Sequence, residues 1–261
     1  MLSLDIGATG MLAQQMHVDV ISNNIANMTT TGFKRQRPEF QDLIYQNIVR
    51  PGSATSDTGT LVPSGIQLGL GVKPGSVYRI HEQGTIQSTS NELDLAISGQ
   101  GYFQIEMPSG ETGYTRAGNF GRNAQGQIVT AQGYVVLPNI TIPDNTIDLT
   151  INESGEVFAK LDGQIELQNL GQIQLANFPN PSGLEAIGDN LFKETESSGA
   201  SIVGTPASVG YGKLIQGSRE GSNVDVVSEI TNLITAQRAY EMNSKIIQTS
   251  DEMLGALAQL R

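Results

Sequence analysis

A period of seven at both ends, absent between them, is the feature that most limits how this chain can fold. Near the N-terminus Leu4, Met11, Val18 and Ile25 recur every seven residues, and Gly7, Gln14, Ile21 and Met28 form a companion seam with two weak members. Near the C-terminus Val226, Leu233, Tyr240, Ile247 and Leu254 repeat the spacing, and Ile230, Ala236 and Leu257 add to the same face. A heptad seam normally faces another helix. The period is kept better than a 3.6-residue pattern requires. A first helix is expected over residues 2–27, stopped by Asn27-Met28-Thr29-Thr30-Thr31-Gly32. A second is expected over residues 223–260, with Ser222 or Asn223 as N-cap and Asp225 at the positive end of the helix dipole. At 1.5 Å per residue it would span roughly 57 Å, too long for the core helix of a compact domain of this size.

Between the helices the pattern changes to β. Leu93-Asp94-Leu95-Ala96-Ile97 and Tyr102-Phe103-Gln104-Ile105 alternate as strands do, and glycines from Gly99 to Gly133 punctuate the stretch. Further short strands are expected over residues 127–130, 134–137, 147–151, 157–160 and 172–177, which suggests an all-β barrel or sandwich. The fold class is therefore α+β, with long terminal helices pairing as a coiled coil around a β-rich middle. Residues 46–71 are rich in Gly, Pro, Ser and Thr, a linker composition. Their apolar members Ile48, Val49, Leu61, Val62, Ile66, Leu68 and Leu70 argue instead for strand pairing, and the turn-rich centre from Gly52 to Gly59 suits a β-hairpin.

Charge and composition remove whole classes of function. The 261 residues carry a formal net charge of -11, which repels a phosphate backbone and anionic lipid alike. There is no Cys, hence no thiolate nucleophile or thiolate metal site. No apolar run is long enough to span a bilayer, and the N-terminus lacks the basic segment of a cleavable signal peptide. By the general secretory route alone the chain would be placed in the cytoplasm. His17 lies beside the N-terminal seam and is expected to face a helix partner or solvent; His81 sits in a strand-like run. Neither builds a zinc set. Gly212-Lys213 lacks the rest of a phosphate loop, and Glu92 and Asp94 read as two surface acids before a strand. The expectation is a structural protein, not an enzyme, with no cofactor, metal, nucleic acid or small-molecule substrate.

Three stretches resemble the rod and hook family of the bacterial flagellum. The first runs Gly10-Met11-Leu12-Ala13-Gln14-Gln15, then Asp19-Val20-Ile21-Ser22-Asn23-Asn24-Ile25-Ala26-Asn27, ending Gly32-Phe33-Lys34. The second is Ser222-Asn223-Val224-Asp225 followed by residues 233–245 and Asp251-Glu252-Met253-Leu254. The third is Gly101-Tyr102-Phe103 with Tyr114-Thr115-Arg116-Ala117-Gly118-Asn119-Phe120. Within that family, residues 63–72 resemble the extra segment of distal-rod members, which hook members lack.

The resemblance implies three domains. Residues 1–30 with 223–261 would form the terminal-helix coiled coil. Residues 31–92 with 186–222 would form a β-rich linker domain including the 46–71 arm, and 93–185 an outer β domain. It implies a distal-rod subunit in a helical homopolymer that transmits torque from motor to hook. Its neighbours would be proximal-rod proteins, the hook protein and the P and L ring proteins. The flagellar type III export apparatus would deliver it, without a cleaved signal, into the rod that crosses the periplasm to the outer membrane. Subunit contacts are then expected along the seam residues Leu4, Met11, Val18, Ile25, Val226, Leu233, Tyr240, Ile247 and Leu254. A stiffening role is expected for the arm at Pro51, Gly52, Ser53, Leu61, Val62 and Pro63. A proximal-rod or hook subunit, and a secreted β-domain binding module, are the competing readings.

Overall fold

The computed structural model describes residues 2–50, 64–164 and 166–259. The arm residues Pro51, Gly52, Ser53, Leu61, Val62 and Pro63, and the side chain of Leu257, lie outside that part. Contacts divide the chain into two units: Met1–Ile25, Gln36–Tyr78 and Val226–Arg261 in one, Ala26–Arg35 and Arg79–Asp225 in the other.

The first unit holds both long helices, α1 (Leu2–Ala26) and α2 (Val226–Gln259), packed together. Their partners fix an antiparallel arrangement. The Ser250 hydroxyl donates to Ser3 Oγ at 3.2 Å, and Asn24 Nδ2 donates to Glu229 Oε2 at 3.2 Å near the other end. Among its described residues four strands complete the unit: β1 (Gln36–Asp42), β2 (Tyr45–Val49), β3 (Ile66–Gly69) and β4 (Val72–Arg79). β1 pairs with β4, and β2 with β3. The second pair is an antiparallel hairpin in which Tyr45 opposes Gly69 and Val49 opposes Ile66, so the flanks of the 46–71 stretch do pair as strands. The Val72 amide donates to Thr9 Oγ1 at 3.4 Å, and the His17 ring meets Phe40 edge-on, tying strands to α1.

The second unit carries sixteen strands: β5 (Ile86–Ser88), β6 (Leu95–Ser98), β7 (Tyr102–Glu106), β8 (Thr112–Thr115), β9 (Gly121–Arg122), β10 (Ile128–Val129), β11 (Val135–Leu137), β12 (Thr146–Ile151), β13 (Glu156–Leu161), β14 (Leu167–Gln172), β15 (Leu175–Asn177), β16 (Glu185–Gly188), β17 (Leu191–Lys193), β18 (Ile202–Gly204), β19 (Lys213–Gln216) and β20 (Ser218–Glu220). A nine-stranded sheet runs β16-β17-β8-β7-β11-β10-β9, with β15 joining β7 to β18. β12-β13-β14 form a separate antiparallel sheet, and β19-β6 and β20-β5 are pairs.

Strand alternation explains the packing. Along β13, Val157, Ala159 and Leu161 point into a core shared with Phe103, Ile105, Leu149 and Leu175, while Lys160 faces water. β7 is buried on both faces at its start: Phe103 enters that core, and Tyr102 joins Tyr114, Phe178 and Phe192 in a second cluster of edge-on aromatic rings. Two expectations change here. Asp94 is no surface acid, because its carboxylate is buried and accepts from Thr89 Oγ1 at 2.7 Å and Asn91 Nδ2 at 2.8 Å. Residues 172–177 are not one strand, because β14 ends at Gln172 and Ile173 drops into the core before β15 begins.

Candidate assembly site

Along α1 the seam residues Leu4, Met11, Val18 and Ile25 are half-buried, as are Val226, Leu233 and Ile247 on α2; Tyr240 and Leu254 are exposed. The deepest positions lie beside them. On α1 these are Gly7, Ala13, Val20, Ile21 and Asn24; on α2 they are Glu229, Ala236 and Ser250, with Asn243 half-buried in the same row. The α2 set is itself spaced by seven, a signal masked in the sequence because its members are polar or small. Small residues let the helix backbones approach. A β-carbon on Gly7 would lie 2.9 Å from Ile247 Cγ1, and one on Gly10 would lie 2.8 Å from Asn243 Nδ2.

The other side of α2 is also apolar. Ile234, Met242, Ile246 and Met253 are between 45% and 67% exposed, on the side of the helix away from Leu233 and Ala236. Ile230, assigned by spacing to the seam face, lies three residues before Leu233 at the edge of that face and is 45% exposed. The hairpin is similarly uncovered at Ile44, Tyr45, Ile48 and Ile66, each more than half exposed.

In the second unit, one carboxylate gathers the residues where the chain enters and leaves. Glu220 is 0% exposed; its Oε1 accepts from Lys34 Nζ at 2.6 Å and from the Gly84 amide at 2.9 Å, and its Oε2 accepts from Arg116 Nε at 2.8 Å. Lys34 also donates to the Glu82 carbonyl at 2.7 Å. The Arg116 guanidinium spends its remaining donors on the carbonyls of Gly99, Gly101 and Ile97. Burial works to raise the Glu220 carboxyl, and Arg116 and Lys34 outweigh it, so its pKa falls below the usual range. Burial in turn lowers Lys34, against the pull of Glu220.

Asn223 completes this junction rather than capping α2. Its Oδ1 accepts from the Arg35 amide at 2.7 Å and its Nδ2 donates to the Ile80 carbonyl at 2.8 Å. Gly32 is required beside it: its φ is +69°, and a β-carbon there would meet the Ala117 nitrogen at 2.7 Å. His81 is half-buried nearby against Tyr102, whose hydroxyl lies 2.7 Å from Nδ1. Burial, with Lys34, Arg79 and Arg116 adding repulsion, pushes the imidazole down to about 4. Among the described residues no group of His, Cys, Asp and Glu is arranged to hold a metal ion, and no helix is long and apolar enough to cross a membrane.

Several stretches of the chain match known protein families. Residues 4–34 match the family described as flagella basal body rod protein, residues 96–159 the flagellar hook protein FlgE/F/G D1 domain, and residues 215–260 the flagellar basal body rod FlgEFG protein C-terminal family. The chain is 64% identical over its full length to the whole flagellar basal-body rod protein FlgG of Caulobacter vibrioides. The chain belongs to the FlgG family. It is 50% identical to the FlgG of Borreliella burgdorferi, with 100% of this chain and 99% of that protein covered. Against the FlgG of Bacillus subtilis the identity is 43%, with 99% and 98% covered. As a member of that family it is a structural subunit of the distal rod of the flagellar basal body, not an enzyme. It is located in that rod and assembles with other flagellar components.

Proposed function

We propose that this subunit polymerises into a helical tube of identical copies that serves as the drive shaft between motor and hook. The observation that carries the reading is the second apolar row on α2. A helix apolar on two opposite sides needs cover on both, and α1 covers only one. A neighbouring copy of the chain supplies the other. The seam residues Leu4, Met11, Val18, Ile25, Val226, Leu233, Tyr240, Ile247 and Leu254 contribute to assembly by holding the helix pair that presents this row. Proximal-rod proteins below, the hook protein above, the P and L ring proteins around the tube and the type III export apparatus are the remaining partners. The arm at residues 51–63 ties neighbouring copies together and so resists the sliding that bending requires.

The experiment alters one residue on the outer side of α2. Ile234→Asp places a charge on the outer row, where burial by a second copy would be costly. The purified subunit should melt as the unaltered protein does, while cells carrying it build no rod beyond the proximal part. Complete hooks and filaments on Ile234→Asp cells would overturn the reading.

A further inference from the structure

The chain passes between its two units four times, at residues 25/26, 35/36, 78/79 and 225/226. Three of these crossings border segments of the β unit that are bonded to one another. Residues 30–35, 79–85 and 218–223 exchange backbone bonds: Gly32 N–H to Glu220 O at 2.8 Å, Ile80 N–H to Arg35 O at 3.0 Å, and Gly221 N–H to Thr85 O at 2.8 Å. Lys34 belongs to the first segment, Gly84 to the second and Glu220 to the third, while Arg116 belongs to the sheet behind them. The three charged side chains are 2%, 4% and 0% exposed for Lys34, Arg116 and Glu220.

We propose that Lys34, Arg116 and Glu220 form a clamp that makes the three segments open and close as one, so that a pull on any of these three crossings is shared by all three and delivered to the β sheet through Arg116. Equilibrium stability is a poor reason for such a triad. Replacing a buried ionic group entirely by apolar residues is often neutral or stabilising, because desolvation offsets the attraction. What apolar packing does not supply is direction. Glu220 is held through both oxygens by donors on separate segments, and Arg116 is held in turn by three carbonyls, so sliding one segment past another breaks several bonds at once. Nonpolar contacts tolerate the same slide. The clamp rests on the drive-shaft reading for its purpose, but not for its physical test.

That test is hydrogen exchange on the full-length subunit. Lys34→Met removes one arm and leaves Arg116 and Glu220 a balanced pair, so the fold has no unpaired buried charge. The Gly84 amide keeps its own acceptor in this variant, yet the clamp requires it to accelerate together with Gly32, Ile80 and Gly221. The expected common increase is on the order of 100-fold, with the amides of Phe103, Val136 and Leu149 unchanged. Scattered rates among the four amides would overturn the clamp, and so would an equal acceleration of the whole β unit. Glu220→Gln should give the same grouping with a larger factor.

A second arm separates the clamp from the drive shaft. Lys34→Met cells should assemble rods and swim in dilute medium, then lose rotation as viscosity is raised. Rods with an unaltered load curve would sink the clamp alone. Failure of the unaltered chain to form rods would instead sink the drive-shaft reading.

Discussion

Gly7 of α1 lies opposite Ile247 of α2, so close that a β-carbon at position 7 would come within 2.9 Å of Ile247 Cγ1. In most exposed helices Gly→Ala is stabilising by up to about 1 kcal/mol through propensity. Here the added atom meets a branched side chain near its root. Gly7→Val should therefore weaken the helix pair by about 1–3 kcal/mol, the usual range for overpacking. The chain has no Cys, so a Ser3→Cys, Ser250→Cys pair reports the pairing without background. Its oxidative cross-link should form readily in the parent chain and slowly with Gly7→Val. Equal rates would show that α1 yields freely at this point.

The helix seam should be the first part of the free subunit to open. Apart from Val20 and Ile21, its deepest positions, Gly7, Ala13, Asn24, Glu229, Ala236 and Ser250, remove little apolar area from water, and area sets the return at about 25 cal/mol per Å². Ordering the backbone costs about 1–2 kcal/mol per residue. In dilute monomer, amides along α1 and α2 should exchange at least about tenfold faster than those of Phe103 and Val157. Assembled rods should erase the difference. Equal protection in a proven monomer would contradict it.

Acid should loosen the second unit through His81. Its pKa is about 4 when folded, against an ordinary 6.5. Between those values the unfolded chain binds the proton more readily, so stability falls as pH drops from 6.5 to 4 and this contribution is flat below. The loss from this group is at most about 3 kcal/mol. Thermal melts at pH 7 and pH 4.5 should differ less for His81→Phe than for the parent, because the ring then has no proton to gain among Tyr102 and Phe192. A slope unchanged by the substitution would assign the acid sensitivity to carboxylates.

The hairpin permits a clean deletion of the arm. Val49 pairs with Ile66, so removing residues 51–63 leaves Arg50, Ser64 and Gly65 as the link. A three-residue loop with Gly closes an antiparallel pair. The shortened chain should be exported and assemble, and its rods should appear curved in electron micrographs. Straight rods of unchanged stiffness would show that the arm contributes nothing to rigidity.

Much of this architecture was legible in the chain itself. Two heptad-bearing ends and a glycine-punctuated β middle dictate helices that pair and a sheet-rich body, because periodicity is a local property that hydrophobic burial reads directly. The strands at Tyr102, Val135 and Glu156 were visible for the same reason. Of the deepest seam residues, Gly7, Ile21 and Ala236 fell within the spacing, whereas Glu229 and Ser250 did not, since polar residues look like gaps in an apolar pattern until the opposing helix is in place.

Glu220 was less visible still. In the sequence it is one acid among Arg219, Glu220 and Gly221, distant from Lys34 and Arg116, and nothing local marks it as buried. Only the folded chain brings Lys34 to 2.6 Å and Arg116 to 2.8 Å from the Glu220 carboxylate, because the strand carrying Glu220 pairs with Ile86–Ser88 and the loop holding Lys34 docks against Arg116-Ala117. The sequence by itself determined which segments are helix and strand, through period and turn chemistry acting over a few residues. The tertiary structure alone decided which charges are buried and which apolar row is left for a neighbour, because burial is a property of what the rest of the chain covers.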